Sequence, residues 1–212
     1  MISNYGQLKT YIQSYLNYND NSVTSSIPLF ISMANQELNR VLRTPAQEQH
    51  IYHTVALDDE TTLPVPNNLI ELRRIYYGDT FETIDRVDIE TLPREKYNYS
   101  DISSDNRPVS FARSHDYFIL SRTAIVGTEI HIVYYQEVTD MTDDNDVNTF
   151  LEIAPLALLY RAIAEGHRFL ENISMADYWF AKASEEVTMI QRQATLDENA
   201  GSVLAQCNQN WY

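Results

Sequence analysis

Between His53 and Val138 the apolar residues stop recurring every three or four positions and begin to alternate. No other feature constrains the fold as much. A helix repeats its buried face every 3.6 residues and a strand every two, so one chain with both periods needs both kinds of packing. The alternation is clearest in "TEIHIVYYQEV" (128–138), where Ile130, Ile132 and Tyr134 oppose Glu129, His131 and Val133. "HTVAL" (53–57), "TTLPVP" (61–66), "LIELRRIYY" (69–77), "PVSFAR" (108–113) and "DYFILS" (116–121) are also rich in β-branched and aromatic residues. Turn signals such as "DDET", "PNN", "YGD", "RSHD" and "VGTE" separate them. "DIETLPREKYN" (88–98) reads as a short helix or an irregular excursion. The segment predicts a small antiparallel unit of about five or six strands.

Both flanks are helical. Tyr5, Leu8, Tyr11, Ile12, Tyr15 and Leu16 share one helical face, with Asn4 as N-cap. "NYNDNSVTSS" (17–26) reads as a polar connector. A second helix is expected near Ser26, with Pro28 in its first turn and Phe30, Met33, Ala34, Leu38, Val41 and Leu42 as its stripe. After the acidic run "TDMTDDNDVN" (139–148), Thr149 and Glu152 have capping-box spacing, and Pro155 opens a long apolar helix to about Asn172. Ser174 and Asp177 cap a last helix faced by Met175, Trp179, Ala183, Val187 and Ile190. The expected fold is therefore α+β: a four-helix-type bundle from N- and C-terminal helix pairs, an inserted antiparallel β unit and an extended C-terminal tail. Its expected boundaries are 1–48 with 149–199 for the bundle, 49–148 for the β domain and 200–212 for the tail.

The formal net charge is −15. It argues against sequence-independent binding of duplex DNA, which needs a cationic surface to release counterions. It does not exclude a surface past which DNA must slide, and solubility is the commoner reason for such acidity. The single cysteine, Cys207, can form no internal disulfide. No stretch approaches the roughly 18 apolar residues of a membrane span, and no signal peptide or membrane association is expected.

Catalytic motifs are missing from the sequence. It has no Gly-rich phosphate loop and no G-x-S-x-G elbow. His50 and His53 lead into a strand, where positions three apart face opposite ways, so they are expected to be ordinary surface or half-buried residues. Asp144, Asp146 and Asn148 begin like a calcium loop, but Thr149 and Pro155 stand where Gly and Glu are needed. Asp58-Asp59 and Glu185-Glu186 read as solvated pairs. Arg73 and Arg74 lie among aromatics, a weak single-strand-binding signal; alternatively, one of them meets a carboxylate across the sheet. No catalytic residue, cofactor or metal site is expected.

Several segments together resemble the head-to-tail adaptor proteins of short-tailed phages. Ile27, Pro28, Phe30, Ile31, Ala34, Leu38, Asn39, Arg40, Leu42 and Arg43 stand at the positions of that family's second-helix pattern. "LPVPNNLIELRRIYYGD" is similar to its next segment, with Asn67-Asn68 where an Asp is usual. "RPVSFARSHDYFIL", the pair Tyr134-Tyr135 and "NTFLEIAPLALLYRAIAEG" resemble its β meander and following helix. The likeness spans about residues 5–195 and leaves the tail beyond Glu198 outside the pattern.

The resemblance implies a non-enzymatic virion protein at the head–tail junction. It implies a ring of adaptor subunits, usually twelvefold, beneath the portal protein ring. That ring would extend the DNA channel, pass duplex DNA without specific binding, and carry tail nozzle or fibre proteins. It also implies that the C-terminal tail reaches between portal subunits. The tail has no charge after Glu198 and ends in Trp211-Tyr212. Val203, Leu204, Asn208, Asn210, Trp211 and Tyr212 are the expected portal-binding residues, with aromatic anchors at the tip. Two other readings stay open: an acidic tail-assembly chaperone or binding module, and a small hydrolase holding a metal on Asp144 and Asp146.

Overall fold

A computed structural model describes residues 2–17, 20–56, 61–93 and 107–199. The chain divides into two units, one formed by the segments up to Gln47 and from Glu137 onward, the other by Glu48–Gln136.

The first unit is helical. α1 spans Tyr5–Leu16; Asn4 accepts a hydrogen bond from the Gln7 amide, and Asn17 ends the helix in the left-handed region. α2 spans Asn21–Val41, five residues longer at its start than the sequence suggests. Residues 21–26 of the supposed connector are helical because Asp20 caps them, accepting from the amide and hydroxyl of Ser22, while Val23 and Ile27 extend the buried stripe. Pro28 consequently lies inside the helix. A 3-10 turn, Pro45–Gln47, follows. α3 is a short helix, Thr149–Ile153, capped by Asn148 rather than Thr149. Ala154 breaks the helix, and Pro155 then starts α4, Pro155–Phe169. α5 spans Ile173–Asn199.

α4 is apolar on nearly every side because it packs on α1, α2 and α5. Leu158, Ala162 and Ile163 are fully buried against Leu8, Ile12 and Leu38, and each such Leu or Ile contributes about 2 kcal/mol of transfer free energy. Gly166 permits the approach of α1, since a Cβ there would lie 2.7 Å from a Leu16 methyl. Arg161 and Glu165 are the buried charged residues of this helix, and Glu165 pairs with Arg168 at 2.7 Å. The Arg161 guanidinium stacks on Phe180 at 3.9 Å and lies 3.0 Å from the Glu37 carboxylate, so the buried charge has a partner.

His167, also on α4, is 8 % exposed, and neither ring nitrogen has a hydrogen-bond partner among the described residues. Burial holds its pKa below the ordinary 6.5. The unfolded chain therefore binds this proton more readily, and stability falls as pH drops below 6.5. His167→Leu is expected to reduce the stability lost between about pH 6.5 and about pH 5. Thermal unfolding of both proteins at the two pH values checks this, and an unchanged difference would place the acid sensitivity elsewhere.

The second unit is a seven-stranded sheet of order β1-β7-β3-β4-β5-β6-β2. The strands are β1 Glu48–Thr54, β2 Thr62–Pro64, β3 Leu69–Tyr77, β4 Thr83–Arg86, β5 Ser110–Ser114, β6 Tyr117–Leu120 and β7 Glu129–Gln136. All neighbours are antiparallel except β4 and β5, which pair in parallel through Asp85–Ser110 and Arg86–Phe111. The buried face joins Ile75, Ile84, Phe111, Phe118, Ile130, Ile132 and Tyr134 in one apolar cluster.

This architecture corrects the expected fold class. The protein is not a four-helix-type bundle carrying a small antiparallel β unit. Five α-helices are present among the described residues, and the sheet is large and mixed. One missed strand accounts for the smaller sheet, and one misplaced strand shifts its edge. β4 has a single buried residue, Ile84, so it carries no alternation. β1 runs over 48–54 rather than 53–57, and its residues are only half-buried at alternate positions. The extended tail lies outside the described residues.

Candidate functional site

The sequence-derived tail anchors Val203, Leu204, Asn208, Asn210, Trp211 and Tyr212 lie outside the described residues. Two other surfaces carry unusual side chains, one on each unit.

On the helical unit the surface is α5. Its buried residues are small: Ala176, Ala183, Val187 and Ala194. Met175, Tyr178, Met189 and Leu196 are exposed, Leu196 by 65 %. At ~100° per residue these four fall within about 60° of one another, on the side of the helix away from the alanines. α5 therefore presents an apolar stripe to its own unit, while its outer side sets four exposed apolar side chains among Lys182, Glu185 and Glu186, with Lys182 paired to Glu185 at 3.0 Å. The sequence reading put Met175 in the buried stripe; the structure turns it outward.

On the sheet unit the surface is the outer face of β1, β7 and β3. Register places Tyr52 opposite His131 and His131 opposite Tyr76, and it places His50 opposite Val133 and Val133 opposite Arg74. These residues share the face away from Ile51, Ile132 and Ile75. The His50 and His131 rings lie 4.9 Å apart, Tyr76 stacks on His131 at 5.1 Å, and Tyr52 lies 6.1 Å from His131. Phe81, on the β3–β4 turn, stacks on Tyr76 and is 74 % exposed. Its φ of 58° is left-handed, which a bulky residue rarely adopts without a reason. The Arg74 guanidinium covers the Tyr76 ring at 4.7 Å. Register skips Arg73 between Leu72 and Arg74, a bulge that leaves two successive arginines exposed. Arg73 pairs with Glu48 and lies over Tyr135. One of the two arginines thus meets a carboxylate across the sheet.

His50 acts with His131, not with His53. His131 was legible as an outward residue of its strand, but nothing local to either segment shows that the two histidines meet.

The acidic segment before α3 has a structural role. The Asp146 carboxylate accepts from the amides of Asp143 and Thr142, each at 2.8 Å, and those bonds hold its pKa below the usual carboxylate range. Asp144 pairs with Lys9 at 2.6 Å. The backbone carbonyls of Asp146 and Asp144 receive the Tyr5 and Gly6 amides, which have no partner within α1. Among the described residues no group of three His, Cys, Asp or Glu side chains could hold a metal ion. No described helix is long and apolar enough to cross a membrane.

The family model described as SU10 adaptor protein matches residues 3–206. The chain belongs to the SU10 adaptor protein family, and so to the structural adaptor proteins of phage particles. No curated protein matches it.

Proposed function

We propose that the protein forms a ring beneath the portal of a phage capsid, extends the DNA channel, and carries the tail nozzle or fibre proteins. The observation that supports this best is α5, whose outer side exposes Met175, Tyr178, Met189 and Leu196 among charged residues. A closed ring offers each subunit a neighbour on both sides, so these side chains find an occupant. The sheet unit and its turns would meet the tail proteins. The net charge of −15 suits a lumen that repels phosphate. Residues 200–212 would be the docking tail, with Val203, Leu204, Trp211 and Tyr212 as anchors and Asn208 and Asn210 as hydrogen-bonding groups in the portal groove.

The test mixes purified protein with its cognate portal ring and measures the complex by native mass spectrometry. The full-length chain is compared with a chain ending at Asn199 and with Met189→Glu. Many copies per portal ring are expected for the full-length chain and few for the truncated one. Met189→Glu is expected to leave the fold intact and lower occupancy. If neither the full-length nor the truncated chain binds the portal ring, the reading fails. Equal occupancy for the full-length and truncated chains would refute the tail as anchor while leaving the ring.

A further inference from the structure

We propose that the free edge of β1 pairs with β1 of a second copy of this chain, joining two sheet units into one continuous sheet. β7 lies on one side of β1, and no described strand lies on the other. The Val55 amide donates to the Thr128 carbonyl at 3.0 Å, and the Gly78 amide donates to the Glu129 carbonyl at 2.9 Å. Hydrogen bonds alternate along an antiparallel ladder, and the β1–β7 register is unbroken from Glu48 to Thr54. Gln49, Ile51 and His53 therefore aim their backbone groups at β7, whereas Glu48, His50, Tyr52 and Thr54 aim theirs outward. The last three are exposed. Unlike an apolar patch, such an edge specifies its occupant: N–H and C=O groups at strand spacing are matched by another extended strand.

The devices that normally blunt an edge are missing from β1. It has seven residues, with no proline, lysine or bulge. The opposite edge of the sheet is blunted, because β2 has three residues and ends in Pro64.

β1 also complements itself. Antiparallel pairing that sets Ile51 against Ile51 of the second copy places His50 opposite Tyr52, Glu48 opposite Thr54 and Gln49 opposite His53. In this register the outward backbone groups of the two copies face each other as hydrogen-bonded pairs. Ile51, half-buried at the margin of the apolar cluster, covers its remaining surface against its own copy. His50 and Tyr52 carry the ring contacts of the outer face across the junction. The charges agree with this occupant. The chain carries −15, yet Glu48 is the one carboxylate of β1 and it pairs with Arg73, so two acidic copies meet here with no like charges opposite each other. A two-fold pair closes on itself, whereas a ring joins unlike surfaces, so this contact is separate from the ring and does not rest on that reading.

The test follows the full-length, tag-free protein by sedimentation velocity over a concentration series, without portal. A mass rising from one chain to two is expected. Tyr52→Pro removes an outward N–H and spares the bonds to β7; it is expected to abolish the dimer while the far-ultraviolet circular dichroism stays unchanged. The Ile51 pair is non-hydrogen-bonded, with Cα atoms about 4.5 Å apart, within the span of a disulfide. With the single native cysteine removed by Cys207→Ser, Ile51→Cys is expected to give an oxidised, covalent dimer. Gln49→Cys, which faces His53 in this register, is expected to give none. If Tyr52→Pro does not fold, the Ile51→Cys and Gln49→Cys pair decides. Monomers at every concentration would overturn the proposal and leave the edge to a strand of an unlike chain. A dimer that survives Tyr52→Pro, or equal crosslinking through Gln49→Cys, would also overturn it.

Discussion

Phe118→Ala is expected to lower the unfolding free energy of the sheet unit by about 4 kcal/mol, the usual cost of removing a buried phenylalanine. Phe118 is fully buried on β6, opposite Leu63 of β2 and Arg113 of β5. Its ring meets Phe111 edge-to-face, with centroids 5.5 Å apart and planes at 83°. That contact adds about 1 kcal/mol to the area it buries. Both rings belong to strands of only four or five residues, whose short ladders leave side-chain packing to hold this side of the sheet. Phe118→Leu should cost less than half as much, because it leaves a smaller cavity. Urea unfolding followed by far-ultraviolet circular dichroism measures both. A loss below about 1 kcal/mol for the alanine variant would mean that the cluster collapses around the gap or that Phe118 is not central to it.

Asn39→Ala should cost the helical unit about 3 kcal/mol, through hydrogen bonding rather than volume. The Asn39 side chain pairs with Val138 as a strand residue would: Nδ2 donates to the Val138 carbonyl and Oδ1 accepts from its amide, both at 2.9 Å. Asn35, one turn earlier on α2, donates to the same carbonyl and to Asp140, each at 2.8 Å. Asn148 donates to Asn35 in turn. These asparagines clamp the chain returning from the sheet against α2. Alanine leaves the Val138 carbonyl with Asn35 but strips the buried Val138 amide of its acceptor, and an orphaned buried donor costs about 1–3 kcal/mol in addition to the lost bonds. Trp179, packed on Tyr15 and Tyr160 of this unit, allows fluorescence to follow its unfolding. A change below about 1 kcal/mol would show that the Val138 amide finds another acceptor.

Asn39 also illustrates how far the sequence could be read. It stood among the positions that resemble the adaptor family's second helix, but its chemistry was invisible there, because its partner is 99 residues away. The same limit applied to the acidic segment. Asp144 and Asp146 could be read as a failed calcium loop, but not as the backbone that receives the first amides of α1. Pro28 misled for a local reason: it is common in a first turn, yet Asp20 and the buried Val23 and Ile27 start the helix earlier. β4 failed for want of pattern, since one buried isoleucine in four residues gives no period to detect.

By itself the sequence determined the elements whose evidence is local. α1 was legible over 5–16 from its apolar spacing and its Asn4 cap, and β3 over 69–77 from its β-branched and aromatic run. It also carried enough spaced pattern to point to the adaptor family. Only the tertiary structure decided the strand order β1-β7-β3-β4-β5-β6-β2, the parallel β4–β5 pair, the outward apolar residues of α5 and the meeting of His50 with His131. The reason is physical. Periodicity states which side of an element is buried, but not what buries it. The entropy of closing a loop grows only slowly with its length, so a partner 81 residues away is nearly as accessible as a close one. The choice among partners falls to packing of the whole sheet and bundle, which no local segment records.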